Sequence, residues 1–191
     1  MSLLTYHDLC DLVERGVVQN SSREHISAAS IDVHISDKFL LERLSVGHTP
    51  VVDVAARQSP DFTEIIATAD APLYMMPGQF LLAATCEVFN LPDDVAALFV
   101  MKSSVARCGL DQMNAAWCNP GWRGSALTLE LMNVMKGHML MLRPGMPIGQ
   151  MVFFRGKPVP QALLYSQRGV YNHQREVSRA VTNGGKSVSS S

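Results

Sequence analysis

Charge is scarce in this chain. Asp, Glu, Lys and Arg make up 17% of its 191 residues, against about 25% in an ordinary soluble domain. The 16 basic residues nearly balance the 17 acidic ones, for a net charge of −1. No broad basic field is available to grip a nucleic-acid polymer, although a small anion held by a few donors stays compatible. Long apolar runs are missing too. Pro77, Pro92, Gly137 and Pro144 interrupt the longest candidates, well short of the roughly 20 residues a membrane helix needs. The four cysteines, Cys10, Cys86, Cys108 and Cys118, form no CxxC pair, and the opening MSLLTYHDLC has no basic stretch followed by an apolar one. The chain therefore reads as a reduced, cytoplasmic protein. A G-x-S-x-G nucleophile is absent, and Gly184-Gly185-Lys186-Ser187 lacks the earlier glycine of a P-loop. His7, His25, His34, His48, His138 and His173 form no HxH or HxxxH pair, so each reads as a surface or hydrogen-bonded histidine.

Apolar residues, at 47%, are enough for one domain with a core, and together with the low charge they point to burial in an oligomer. Thr5 stands three residues before Asp8, Leu9, Leu12 and Val13 share a face, and Gly16 follows. This spacing predicts a capped helix over 5–15. Thereafter the pattern changes to a period of two: Ile31, Val33 and Ile35 alternate with Asp32 and His34, the mark of a half-buried strand. Short apolar stretches follow at 51–54, 64–67, 79–89, 95–101, 126–132, 138–142 and 148–154, separated by turn chemistry such as Pro77-Gly78, Asn119-Pro120-Gly121 and Pro144-Gly145. Many short strands predict an all-β jelly-roll or barrel. One domain spans 1–177. The remainder, SRAVTNGGKSVSSS from Ser178 to Ser191, has the small, polar composition of a flexible tail.

Three segments put polar residues where a strand-rich core would not want them. Lys102-Ser103-Ser104-Val105-Ala106-Arg107-Cys108-Gly109-Leu110 gathers two cations and two hydroxyls after an apolar strand, a donor cluster suited to phosphate oxygens or, more plainly, a capped helical turn. Asn119-Pro120-Gly121-Trp122-Arg123-Gly124 by itself is a hairpin turn. In Leu127-Thr128-Leu129-Glu130-Leu131-Met132-Asn133 the leucines share one face and Thr128, Glu130 and Met132 the other. Glu130 is bland if that face meets solvent and a proton shuttle if it lines a pocket or an interface.

In order, these segments resemble the dCTP deaminase branch of the trimeric dUTPase superfamily. Ala28-Ala29-Ser30-Ile31-Asp32-Val33 is similar to the family's early A-[ST]-[VI]-D-[VL] strand, KSSVARCGL to RSSLARLGL, and NPGWRG to DPGWxG. LTLELMN matches its glutamate-bearing strand, and Leu142–Phe153, LRPGMPIGQMVF, is similar to LxPGMxIGQLxF. The resemblance implies a distorted jelly-roll homotrimer, with active sites between subunits that take a deoxycytidine nucleotide carrying Mg²⁺ on its phosphates. It implies hydrolytic deamination without zinc, dCTP becoming dUTP plus ammonia. The zinc deaminases need H-x-E or C-x-E together with P-C-x-x-C, and neither occurs here. By the resemblance Glu130 takes a proton from water and passes one to the base. Ser103 and Arg107 hold the water and its polar surroundings, Lys102 and Ser104 bind phosphate, and backbone groups of Asn114, Ala115, Ala116 and Trp117 read the pyrimidine.

The departures from the family pattern are specific. Asn119 stands where the family carries Asp, the carboxylate that in dUTPases activates water for attack on phosphate, and an amide cannot accept that proton. Lys102 replaces an Arg, exchanging a bidentate fork for a point charge. The family closes its triphosphate site with Tyr, Lys and Gln before a glycine. Two registers fit this chain: Tyr165-Ser166-Gln167-Arg168-Gly169, with no preceding Lys, or the region of Tyr171-Asn172. A dUTPase or bifunctional deaminase–diphosphatase is the nearest alternative, and a catalytically silent nucleotide sensor the alternative from another class.

Overall fold

Thr5 opens the helix Tyr6–Glu14. Its backbone N–H donates to the Asp8 carboxylate at 3.2 Å and its carbonyl accepts from Leu9 at 3.0 Å, so the cap read from the spacing is present. Leu9, Cys10 and Leu12 face inward and are buried, and Gly16, at a left-handed φ of 70°, turns the chain out of the helix. The computed structural model describes residues 1–181; most of the expected tail, 182–191, lies outside them.

The regular structure that follows is mainly antiparallel strand, with a few short helical turns. One sheet runs Ser2–Leu3, Pro147–Arg155, Val95–Met101 and Trp117–Cys118, with Ile31–His34 also paired to Pro147–Arg155. A second runs Leu110–Gln112, Thr128–Asn133, Phe80–Ala84, Lys38–Glu42 and Phe62–Ile66. Smaller sheets join Arg123–Ser125, Val88–Asn90 and Val18–Gln19, and Leu140–Leu142 with Leu73–Met75. Among the described residues no sheet closes on itself, so the architecture is jelly-roll-like rather than a closed barrel. Ile31, Val33, Phe39, Leu81, Leu129, Leu131, Ile148 and Phe153 are fully buried between the layers. Their alternation with half-exposed neighbours is what made the strands legible.

Three expectations need correction. Residues 51–54 form no strand: Val51 and Val54 are 90% and 82% exposed. Asp53 accepts the Ala56 N–H at 3.0 Å while Gln58 accepts that of Asp53 at 3.0 Å, local bonds that compete with a sheet ladder. The stretch 79–89 is two strands in different sheets, parted where the Thr85 hydroxyl donates to the Glu87 carbonyl at 2.9 Å. Asn119–Gly124 is not a hairpin, because Cys118 pairs with Ala97 in one sheet and Arg123 with Asn90 in another. It is the corner by which the chain changes sheets. No described helix is long and apolar enough to cross a membrane.

Candidate active site

Alternation along Thr128–Asn133 sends Leu129 and Leu131 into the core and leaves Thr128, Glu130 and Met132 half-buried on the other face. That face is neither solvent nor core. Thr128 and Glu130 open onto a cavity of about 450 Å³, to which Leu82 and Phe80 of the paired strand also contribute. Ala115, Trp117 and Asn119 line it from the segment before the corner, and Tyr165, Tyr171 and Arg179 from the C-terminal segment. Among the described lining residues Glu130 is the single acid and Arg179 the single strong base.

Burial raises the Glu130 carboxyl above its ordinary range; hydrogen bonds from the backbone and from Gln112 only partly oppose the shift. A carboxyl in this state moves readily between proton acceptor and donor. Gln112 is almost wholly buried. Its Nε2 donates to Glu130 Oε2 at 3.3 Å and its Oε1 accepts the Asn114 N–H at 2.9 Å, while the Met113 N–H donates to the Glu130 carbonyl at 3.1 Å. One amide thus ties the carboxylate to the 114–117 segment. Asn114 itself sits at a left-handed φ of 57°, the Ala116 carbonyl accepts from Phe99 at 3.1 Å, and Trp117 Nε1 donates to Asn119 Oδ1 at 3.1 Å.

The corner glycines let the C-terminal segment reach the cavity. A Cβ on Gly121, at φ 82°, would lie 2.9 Å from Leu164 Cβ, and one on Gly124, at φ 65°, would lie 2.6 Å from His173 Nδ1. Through this close approach Tyr165 N–H donates to the Pro120 carbonyl at 3.0 Å, and Trp122 Nε1 and the Ser125 hydroxyl donate to the Tyr171 carbonyl at 2.7 and 3.0 Å. Farther on, the Ala126 N–H donates to Gln174 at 2.9 Å, the Ser178 hydroxyl to the Gln174 side chain at 2.7 Å, and the Arg179 guanidinium lies 5.6 Å from the Phe62 ring centre. Tyr165 and Tyr171 both line the cavity, and Gln174 joins them. Gln167 instead faces a separate depression beside Asp93 and Arg123. Burial raises the Tyr165 phenol, keeping it a neutral hydrogen-bond donor.

The other polar cluster stands apart. Ser103–Ala106 is one helical turn, and Ser103, Ser104 and Arg107 are exposed. None of Lys102, Ser103, Ser104 or Arg107 lines the cavity. Lys102 Nζ is 2.5 Å from Asp32 Oδ2, which ties its ammonium to a strand. Within one chain, therefore, Glu130, Ala115, Trp117, Asn119, Tyr165 and Tyr171 come together, Asn114 and Ala116 flank them in the same segment, and the 102–107 cluster and Gln167 do not join them. Sequence reasoning missed Gln112, Gln174 and Arg179. Gln112 carried a signal, since it occupies the inward-facing position after Leu110 where an apolar residue belongs.

Comparison with known proteins shows the family of the chain. A family model described as dCTP deaminase-like matches residues 3–156. A protein of Acidothermus cellulolyticus named "dCTP deaminase, dUMP-forming" is 41% identical over 156 residues, 75% of this chain and 78% of that one. One of the same name from Methanosphaerula palustris is 32% identical over 182 residues, 92% of this chain and 93% of its own. In fold, the crystal structure of 2'-deoxycytidine 5'-triphosphate deaminase from Agrobacterium tumefaciens superposes with a TM-score of 0.63 at 22% identity, taking in 81% of this chain and 48% of that one. With the glutamate-bearing strand facing a cavity and the motifs in their order, the chain belongs to the dCTP deaminase-like family.

Proposed function

We propose that this chain hydrolytically deaminates dCTP. The observation that carries the proposal is Glu130, the lone acid of an otherwise largely apolar cavity, its proton affinity raised by burial and its orientation fixed by Gln112. The ionised carboxylate takes a proton from water and passes it to N3 as hydroxide adds at C4 of the cytosine; the proton of the new C4 hydroxyl then moves through the carboxylate to the amino group, so that ammonia leaves and the C4 carbonyl forms. The described lining residues do not make a zinc site: they include no histidine, one carboxylate, and the Cys118 thiol, which burial pushes up to about 12. The chemistry accordingly rests on a tuned carboxylate and fixed dipoles, and Mg²⁺ arrives on the substrate's phosphates. In this reading Arg179, Tyr165 and Tyr171, which line the cavity, meet those phosphates.

The separation of the 102–107 turn from the cavity supports a shared site. Ser103, Ser104 and Arg107, exposed on their own chain, reach the cavity of a neighbour in a closed homotrimer, and Trp117, half exposed at the cavity, is covered there. Light scattering checks this: a mass of about three chains is expected from closed cyclic assembly, and an active monomer contradicts it. A cytoplasmic setting fits the four free thiols.

For the product we assign dUTP, because Asn119 has an amide where phosphate hydrolysis needs a base and its Oδ1 already accepts from Trp117. The printed names of the relatives, "dUMP-forming", favour a second reading in which diphosphate is also released. Phosphorus NMR of the reaction separates the two. An intact triphosphate on a deaminated base is expected, and prompt monophosphate plus pyrophosphate selects the second reading.

A further inference from the structure

Away from the cavity, the fold brings together three residues that no spacing in the sequence connects. Glu87 is fully buried, with no exposed surface. Its Oε1 is 2.7 Å from His34 Nδ1 and its Oε2 accepts the His34 backbone N–H at 3.0 Å. The His25 ring lies 4.5 Å from that of His34, centre to centre, at 53°, and among the described residues the buried His25 Nδ1 has no hydrogen-bond partner. One ligand atom from each of the three residues falls within 4.8 Å of the others. None of them lines the cavity of Glu130.

The electrostatics of this cluster are incomplete. Among the described residues His34 is the only ion-pair partner of Glu87, and it carries charge only when protonated. The buried carboxylate thus has one imidazole for its side-chain partner, and beside it stands a ring nitrogen of His25 with nothing to bond among the described residues. A divalent cation removes both deficits at once. Zn²⁺ holds imidazole nitrogen and carboxylate oxygen at about 2.0–2.2 Å, which places tetrahedral ligand atoms roughly 3.3 Å apart. The His34–Glu87 contact, 2.7 Å here, would open by about 0.6 Å to reach that separation, and the His25 ring would close in from the end of its short 3₁₀ turn, Arg23–His25. His34 retains 18% of its side-chain surface, enough for water to take a fourth position. Imidazole with carboxylate is a donor set for zinc-like ions rather than for calcium or magnesium.

We propose that His25, His34 and Glu87 bind one divalent transition-metal ion of the Zn²⁺ class, a structural clamp joining the Arg23–His25 turn to the strands Ile31–His34 and Val88–Asn90. The test uses the full-length chain without an affinity tag, stripped with a chelator and then titrated with Co²⁺ and with Zn²⁺. One Co²⁺ per chain with the strong visible bands of a low-symmetry site is expected, displaced by Zn²⁺, along with a rise in the melting temperature on adding Zn²⁺. His25→Ala should lose both responses while keeping its far-UV spectrum and its activity on dCTP, since His25 does not line the Glu130 cavity and its Nδ1 holds no bond among the described residues. His34→Gln should lose them as well. Weak Co²⁺ spectra without a one-to-one end point overturn the proposal, as does binding of equal strength in His25→Ala.

Discussion

Gln112 donates through Nε2 to Oε2 of Glu130 at 3.3 Å, and the same side chain accepts the Asn114 N–H at 2.9 Å. The carboxylate proposed to react and the segment proposed to read the pyrimidine are therefore held by one amide group, which is almost wholly buried. A hydrogen bond to a charged group contributes about 1.5–3 kcal/mol, and about 1.4 kcal/mol is tenfold in rate.

Gln112→Ala is expected to lower kcat about tenfold or more on that scale. It should also move the acid limb of the pH–rate profile to higher pH, because the Gln112 bond favours ionised Glu130. A fall in kcat with the limb unmoved would assign Gln112 to packing alone.

Glu130 also couples activity to stability. Burial raises its folded-state proton affinity above that of the unfolded chain, so the folded state holds the proton more tightly and stability falls as pH rises through the interval between the two. Ionised Glu130 is then a liability to the fold at neutral pH. Glu130→Gln, neutral at every pH, should melt higher than the native chain at neutral pH, with the gap closing as pH drops below the ordinary carboxylate range. Melting curves across pH check this, and equal melting temperatures at neutral pH would show that the carboxylate is solvated.

Arg179 is the single strong base among the described residues lining the cavity. Arg179→Ala should raise KM for dCTP by about tenfold to a hundredfold, the loss of one charge-assisted bond, with little change in kcat and little change in binding of deoxycytidine. Steady-state kinetics with calorimetry on both ligands measures it.

At the corner, Gly121 combines a φ of 82° with a backbone that leaves a Cβ only 2.9 Å from Leu164. Gly121→Ala should cost about 1–2 kcal/mol from the left-handed conformation alone and loosen the Tyr165–Arg168 turn from the Pro120 carbonyl. Urea unfolding gives the first quantity, and hydrogen exchange at Tyr165 the second.

Much of the fold was legible because local pattern and tertiary role agree. Thr5 and Asp8 cap the helix they announced, and the leucines of Thr128–Asn133 are buried on the alternate positions where the period of two puts them. Val51, Val52 and Val54 misled because an apolar run says nothing of its partners, and Asp53 and Gln58 satisfy the backbone locally instead. Glu130 was legible as an acid on an otherwise apolar strand. Ser178 and Arg179 were not: their surroundings are Gly- and Ser-rich, yet Ser178 bonds to Gln174 and Arg179 borders the cavity. His25, His34 and Glu87 stand on separate segments brought together by strand pairing, which no sequence period encodes.

Deamination of dCTP as proposed here requires Glu130 to move the proton. Ammonia release from dCTP, followed side by side for the native chain and Glu130→Gln with nucleotide binding measured on both, tests it most directly. The native chain should release ammonia in step with loss of the cytosine absorbance. Glu130→Gln should still bind dCTP and turn over about 10²–10⁴-fold more slowly, the usual worth of general acid–base catalysis. No ammonia from the native chain, or turnover at the native rate by Glu130→Gln, would contradict it.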